Sequence, residues 1–185
     1  SQNPEVKRQF PGFEVKGVHP QRKWVRDIQG YSKEWEKLRE NGFTVAHLAP
    51  SEGIFRGSGP CVLLSDNQTN QRILKNEVAQ VVAFDPVGKK SSPSIYPNSL
   101  MGVIAVIRQT FLETQYSLDR MRVEEINPSA SPFTMHEGID SLLRSLQPNP
   151  TLPLWMEPGS CLMMGMAIEL GQEFDLSPTV LIATG

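Results

Sequence analysis

The last third of the sequence alternates a short apolar segment, a helix and a second apolar segment, and this order constrains the fold more than any other feature. The segment LPLWME predicts a strand over residues 152–157, and TVLIATG predicts another over 179–183. The methionine-rich stretch between them predicts a helix from Ser160 to Phe174. Short joints of this kind accompany right-handed crossovers and a parallel sheet. The same order occurs earlier, where a predicted helix over 32–40 leads into a predicted strand over 43–49. Ser32 is expected to cap that helix, and Asn41-Gly42 to end it.

A long amphipathic helix is predicted in the middle of the chain, after a predicted strand over 78–84 and a loop over 87–98 that is rich in Gly, Ser, Pro and Lys. A second amphipathic helix is predicted to begin at a capping box formed by Thr134 and Glu137. Ser99 is expected to cap its N-terminus, and Gly102 to permit close packing on a neighbouring element. Arg108 and Gln109 fall off the apolar stripe and are expected on the helix surface. The stripe consists of Leu100, Val103, Ile104, Ile107, Phe111 and Leu118.

Alternating strands and helices without a dinucleotide-binding glycine pattern favour a (β/α) barrel or part of one. A complete barrel of eight units typically takes about 250 residues, whereas this chain has 185. The sequence therefore predicts an α/β fold with a partial, TIM-barrel-like parallel sheet over 31–185, preceded by an irregular lead-in over 1–30. An open sheet leaves edges and apolar faces uncovered, so a homo-oligomer is expected.

Composition narrows the function classes. The hydrophobic fraction is 39%, the charged fraction is 21% and the net charge is −2, as in an ordinary soluble globular protein. This charge balance gives no reason to expect nucleic acid or an anionic membrane as partner. No apolar run approaches the ~20 residues of a membrane span, and no targeting signal is visible, so the compartment stays open. Cys61 and Cys161 lie in apolar company without metal-ligand spacing and are expected to be buried thiols.

Two motifs carry a resemblance. The segment GIFRGSGP occupies 53–60, and YPNSLMGVIAVIRQTFLETQY occupies 96–116. Together they resemble a group of bacterial amidohydrolase-like proteins related to imidazolonepropionase, in the metal-dependent hydrolase superfamily, which carry GIFRG followed by YP-x-SLMG-x-IA-x-x-RQTFL. The resemblance implies a barrel that hydrolyses a C–N bond of an amide or cyclic amide with metal-activated water. Full-length relatives have segments before and after the matched region, so the chain looks like an internal part of such a protein and is expected to be inactive by itself.

Metal chemistry of this kind needs converging imidazole and carboxylate ligands, and zinc is the metal that the resemblance implies for the full-length protein. The three histidines of this chain, His19, His47 and His136, form no pair at i,i+2 or i,i+4 spacing. No metal or other cofactor is therefore expected in this chain. His47 is the one histidine on a predicted strand, where a hydrogen-bonded core histidine is the more common role.

Candidate catalytic and substrate-binding residues lie at predicted strand ends. Glu157 closes the strand over 152–157, where a carboxylate can serve as a general base or can cap the next helix. Asp85 closes the strand over 78–84 in the same way. Arg56 lies in a predicted glycine-rich loop that either binds a small-molecule anion or is only a structural turn.

The resemblance adds Gly57 and Tyr96 to Arg56 as substrate-binding candidates, although helix entry is the simpler explanation for Tyr96. Glu157 and His47 are the catalytic candidates. Two functions follow from the sequence. The first is a segment of an amidohydrolase-like enzyme, and the alternative is a non-catalytic binding or assembly module that keeps the barrel scaffold.

Overall fold

The structure is a computed structural model that describes residues 15–28, 33–49, 51–65, 69–86, 96–127, 137–147, 150–176 and 179–180. The helices are a 3-10 turn at Trp24–Asp27, α1 (Lys33–Glu40), α2 (Thr69–Arg72), α3 (Leu100–Ile126), α4 (Glu137–Leu146) and α5 (Cys161–Glu173). The strands are β1 (Val45–His47), β2 (Phe55–Leu63), β3 (Ile73–Ala83), β4 (Leu154–Glu157) and β5 (Thr179–Val180).

The sheet is mixed, which corrects the prediction of a parallel sheet. Its strand order is β1-β2-β3-β4-β5. The β3–β4 and β4–β5 pairs are parallel, as predicted, but β1–β2 and β2–β3 are antiparallel. The four predicted strands do run in one direction, because β1 and β3 are both antiparallel to β2. The error is the inserted strand β2, whose first half was predicted to be a glycine-rich loop.

Two glycines within β2 made this segment resemble a loop in the sequence. Gly57 and Gly59 were expected to shape a loop, but both lie inside the strand, beside irregular steps in its pairing with β3. Gly57 has φ 85°, and a Cβ there would collide with the backbone oxygen of Arg22. A Cβ at Gly59 would collide with the backbone oxygen of Leu48. The glycines therefore let two neighbouring segments approach the strand closely, which is a recognised use of glycine within a sheet.

The sheet curls strongly. The ring of His47 on β1 contacts the ring of Trp155 on β4 edge to face, with centroids 4.6 Å apart and planes at 72°. In a flat sheet, strands three places apart lie about 14 Å from each other, so this contact requires a curled sheet. The result is a half-barrel, and His47 and Trp155 meet on its inner face.

The core fills the space between the outer face of the sheet and the helices. Alternation along β4 buries Leu154 and Met156 towards the helices and leaves Trp155 and Glu157 on the other face. Phe111 of α3 is fully buried at the centre. Its ring packs edge to face on Phe55 and Phe174 at 5.8 and 5.2 Å. The predicted stripe of α3 is confirmed at Val103, Ile104, Ile107 and Phe111, while Leu100 and Leu118 are partly buried.

Helix ends follow their sequence signals. The Ser99 hydroxyl accepts a hydrogen bond from the Gly102 backbone N–H at 3.2 Å, and the Ser160 hydroxyl accepts one from the Met163 N–H at 3.3 Å. Gly42, with φ 89°, ends α1 as predicted. These caps fix where α3 and α5 begin, and α5 begins shortly after Glu157, the last residue of β4.

Several predictions fall on residues that the structure does not describe. They are the helix cap at Ser32, Thr134 of the capping box predicted for α4, the loop predicted over 87–98 as far as residue 95, His136, the end of the last strand and the domain boundary at 30/31. Both cysteines are free thiols, but Cys161 is exposed and Cys61 only partly buried, so the prediction of two buried thiols is wrong. Among the described helices, none has the length and apolarity needed to cross a membrane.

Candidate functional site

Arg56 is the centre of the candidate site. Its side chain is only 6% exposed, at the start of β2. One terminal nitrogen donates a hydrogen bond to the Glu157 carboxylate at 2.5 Å, and Nε donates to the Gly53 carbonyl at 3.0 Å. The other terminal nitrogen lies 3.9 Å from the Asp85 carboxylate. A buried guanidinium thus lies between two carboxylates at strand ends. The forked, planar side chain of arginine is well suited to bridge two carboxylates in this way.

The strand directions explain this convergence. Glu157 is the last residue of β4, and Asp85 lies two residues beyond the end of β3. Because β3 and β4 are parallel, their carboxyl ends meet at one edge of the sheet. Because β2 is antiparallel to β3, the start of β2 meets the same edge. The prediction that Arg56 lies near strand carboxyl ends is therefore correct, but it comes from a strand rather than from a loop.

Glu157 has acceptor capacity left over. Its Oε2 accepts the Arg56 bond, and its side chain remains 30% exposed. The helix-capping alternative for Glu157 is not what the structure has, since the cap of α5 is Ser160. Among the described residues, Arg56 is the hydrogen-bonding and ion-pairing partner of Glu157. A carboxylate held through one oxygen, with the other facing open space, can accept a proton or orient a water molecule.

His47 lies on the same face as Glu157 but deeper in the half-barrel. It pairs with Cys61, near the far end of β2, and its ring packs on Trp155, the residue two positions before Glu157. Burial lowers the pKa of the imidazole below its usual value. Its Nε2 is buried without a hydrogen-bond partner among the described residues. His47 therefore points inward, but Trp155 stands between it and the carboxylate edge.

The remaining predicted residues are placed differently. Gly57 follows Arg56 directly, and its role visible in the structure is to make room for the backbone of Arg22. Tyr96 is 54% exposed at the entrance to α3, with its ring against Gly102. Arg108 and Gln109 are on the helix surface, as predicted: Arg108 pairs with Glu173, and Gln109 donates to Glu113. His19 is exposed, on the lead-in alongside β2.

Within the described part of the chain, no three His, Cys, Asp or Glu side chains converge closely enough to hold a metal ion. Arg56, Asp85 and Glu157 bring a cation between two carboxylates, which is not a ligand set that suits a divalent metal. The expectations about metal therefore remain predictions. What the edge can do by its own side chains is hold a carboxylate in a fixed orientation beside open space.

A second charged cluster was missed by the sequence analysis. Glu77 on β3 accepts bonds from Lys23 at 3.2 Å, from the Ser58 hydroxyl at 2.8 Å, and from Arg144 of α4 at 2.7 and 3.2 Å. Hydrogen bonds from Arg144, Ser58 and Lys23 lower the pKa of Glu77 to about 2, against the opposing effect of burial. A charged residue in the middle of a strand with polar neighbours was the available signal, but nothing in the sequence indicates its partners 54 and 67 residues away.

Comparisons with known proteins support the fold at a coarse level. No protein-family model matches the sequence, and no curated protein matches it. The structure is similar to a crystal structure of an amidohydrolase from Thermotoga maritima MSB8, with a TM-score of 0.74 at 16% sequence identity. The match covers 89% of this chain and 43% of that one, so this chain spans less than half the length of the neighbour.

This similarity concerns the fold. The chain has an amidohydrolase-like architecture, arranged as a half-barrel with a mixed sheet.

Proposed function

We propose that this chain forms part of a hydrolase that cleaves a C–N bond of an amide or cyclic amide. The observation that carries the proposal is Glu157, a half-open carboxylate at the carboxyl end of a half-barrel strand, held through one oxygen by the buried Arg56. Barrel enzymes build their sites at this end of the strands. The amidohydrolase-like fold supports this reaction class.

The proposed roles follow from the geometry. Glu157 orients the attacking water and accepts its proton through the oxygen that Arg56 leaves open. Arg56 is a positioning residue, because its guanidinium fixes the carboxylate against rotation while its Nε is anchored to the Gly53 carbonyl. Asp85, at 3.9 Å from the other end of the guanidinium, holds the arginine from its second side.

Enzymes that catalyse this class of reaction generally activate water on a divalent metal such as zinc. The described residues do not form a zinc site, so such ligands would have to come from elsewhere in the complete protein. The roles given to Glu157 and Arg56 do not depend on that ion. His47, separated from Glu157 by Trp155, is assigned to packing of the inner face rather than to catalysis.

One observation favours a second candidate, a non-catalytic binding or assembly module. The Arg56 guanidinium already neutralises the strand-end carboxylate, an arrangement that by itself only ties β2 to β4. In this alternative the edge cluster stabilises the half-barrel and carries out no chemistry.

The deciding experiment compares matched substitutions in the longest protein that the gene encodes. Hydrolysis is assayed on a panel of N-acylated amides and five- and six-membered cyclic amides, with added zinc. Glu157→Gln keeps the hydrogen bond from Arg56 but removes the basic carboxylate, and we expect it to lower kcat by a factor of about 10²–10⁴. Glu173→Gln, which alters an exposed arginine-paired carboxylate on α5, is the control and should leave kcat unchanged.

Hydrolysis that survives Glu157→Gln at the parent rate would remove Glu157 from the mechanism. An intact protein that cleaves nothing in the panel would favour the non-catalytic module. The chain of 185 residues studied alone is expected to be inactive and to purify without stoichiometric zinc, which elemental analysis would check.

A further inference from the structure

The lead-in is attached to the first half of β2, the segment that carries Arg56. It forms isolated parallel bridges with β2 at Phe55 and at Ser58. The Phe55 carbonyl accepts a hydrogen bond from the His19 N–H at 2.9 Å, and the Ser58 N–H donates one to the Arg22 carbonyl at 2.9 Å. Arg56 lies between these two points of attachment, so the lead-in holds the backbone on both sides of the candidate residue.

Arg56 is the extra residue of a β-bulge. Phe55 pairs with Val82, and the next pair along the two strands is Gly57 with Val81. Two steps along β2 therefore match one step along β3. Gly57 has φ 85°, a backbone conformation that suits glycine. A bulge disturbs the regular ladder and changes the direction of a side chain, and bulges are common beside active sites. The direction of the Arg56 side chain thus depends on how its own peptide group is held.

Trp24 of the lead-in holds that peptide group. Its indole Nε1–H donates a hydrogen bond to the Arg56 carbonyl at 3.1 Å. The ring is half-buried, and the guanidinium of Arg22 lies over it, 4.0 Å from the ring centroid. This stacking restricts the position of the indole. A donor in a restricted position therefore acts on the backbone of the extra residue in the bulge.

The reach of the Arg56 side chain makes the position of its backbone important. β3 lies between β2 and β4, so Glu157 on β4 is two strands away, which is about 9–10 Å between backbones. The guanidinium meets the Glu157 carboxylate only at the end of a long side chain. A rotation of the peptide group at Arg56 would therefore carry the guanidinium out of hydrogen-bonding range of Glu157.

We propose that Trp24 is a positioning residue for the candidate site: its indole N–H fixes the bulge in β2 and so directs Arg56 onto Glu157. The effect on catalysis rests on the hydrolase function proposed above, whereas the effect on the geometry of Arg56 does not. Trp35 of α1 offers a matched control, because it is also half-buried and has an arginine, Arg72, over its ring at 5.4 Å.

Hydrogen exchange at the Arg56 side chain tests the geometry on the chain of 185 residues, whether or not this chain is active. The Nε–H of Arg56 donates to the Gly53 carbonyl at 3.0 Å, and its NMR signal is identified by its loss in Arg56→Lys. Trp24→Phe removes the indole N–H and keeps an aromatic ring beneath Arg22. We expect this variant to raise the exchange rate of the Nε–H about three- to tenfold. Trp35→Phe should leave the rate unchanged.

The backbone amide of Gln80 is the reference for opening of the whole fold. This residue is fully buried, and its N–H donates to the Pro153 carbonyl at 2.8 Å. Its exchange rate should be the same in the parent and in Trp24→Phe. An Arg56 Nε–H rate that stays at the parent value in Trp24→Phe would overturn the proposal. An equal rise at Arg56 and Gln80 would overturn it as well, because Trp24 would then stabilise the fold without positioning the arginine.

Kinetic measurements in the longest protein that the gene encodes test the consequence for the reaction. Trp24→Phe should lower kcat about three- to tenfold and leave KM unchanged, since the indole acts on the residue that positions Glu157 and not on the substrate. Trp35→Phe should leave both constants unchanged. If the protein hydrolyses amides and Glu157→Gln stops it, a parent kcat in Trp24→Phe would overturn the positioning role. If the protein cleaves no amide, the proposed function fails, and the Arg56 exchange rates still decide whether Trp24 holds the arginine.

Discussion

Two carboxylates on the sheet, Glu77 and Glu157, are held by arginines in different ways. Glu77 receives two donors on each oxygen, from Lys23, Ser58 and Arg144. Glu157 receives the Arg56 bond on one oxygen and stays 30% exposed. A carboxylate with two hydrogen-bond donors on each oxygen cannot bind a ligand or accept a proton in a reaction. A carboxylate with one oxygen free of donors, at a strand end, can do both. The difference separates a stabilising cluster from a candidate site, although both are ion pairs of the same residue types.

The largest effect on stability is expected in the hydrophobic core. Phe111→Ala removes a fully buried ring that packs on Phe55 and Phe174, and should lower the free energy of unfolding by about 4 kcal/mol. Chemical denaturation measures the loss. Because Phe111 belongs to neither cluster, the loss of stability in this variant is the reference against which the losses in the cluster variants are compared. A loss below about 1 kcal/mol would mean that α3 is not packed as described.

Arg56→Met breaks the open cluster and should cost about 3 kcal/mol, since it leaves Glu157 and Asp85 without their shared buried cation. Denaturation at neutral pH is the measurement. Arg56→Lys, which keeps the charge but loses the fork geometry, should recover part of the stability. Unchanged stability in Arg56→Met would show that the edge is not held by this guanidinium.

Glu77→Gln breaks the saturated cluster and should cost about 2 kcal/mol, because bonds to a charged acceptor are lost while Arg144 and Lys23 can turn to water. Its pH dependence distinguishes it from the first cluster. The pKa of Glu77 falls from its usual 4.5 to about 2 on folding, so its stabilisation is present above pH 4.5 and is lost as the pH falls from there towards 2.

Acid titration of stability by denaturation at a series of pH values checks this sign. The parent protein should lose stability between pH 4.5 and 2, and Glu77→Gln should lose about 2 kcal/mol less over the same interval. A variant that follows the parent curve throughout would remove Glu77 as the source. His47, whose pKa is lowered by burial, contributes a separate decline that begins as the pH falls below 6.5.

The smallest effect is expected at an exposed pair that resembles both clusters only in composition. Glu173→Gln loses the 2.8 Å ion pair to Arg108, with both side chains more than a third exposed. Water screens such pairs, so the change should be below about 0.5 kcal/mol. A thermal-denaturation shift comparable to that of Glu77→Gln would mean that burial does not explain the difference between the clusters.

The fold could be predicted from the sequence where the signal is local. Ser99 and Ser160 start their helices because a hydroxyl can cap only the turn that follows it, and Phe111 is buried because helical periodicity places it on the apolar face. The prediction failed at β2, where Gly57 and Gly59 leave space for backbone segments that approach from elsewhere in the chain. A glycine in a crowded strand and a glycine in a loop look the same in one sequence.

The candidate site shows the same division. Glu157 and Arg56 were both identified, because each closes or opens a recognisable segment. Their mutual bond was not predicted, since the direction of β2 decides it and that strand was missed. The Glu77 cluster was also missed, because it joins a strand, the lead-in and a helix that only the folded chain brings together.

The direction of β2 also has a consequence for the order of folding. β1, β2 and β3 are joined by short connections and can pair early in folding. The ion pair between Arg56 and Glu157 forms later, because Glu157 lies 101 residues further along the chain. Until β4 docks beside β3, the guanidinium lies at the edge of an incomplete sheet with Asp85 as its nearby carboxylate. A nascent or proteolysed chain that stops before β4 therefore lacks the Glu157 partner of this cation. This ion pair can therefore close only after β4 has docked beside β3.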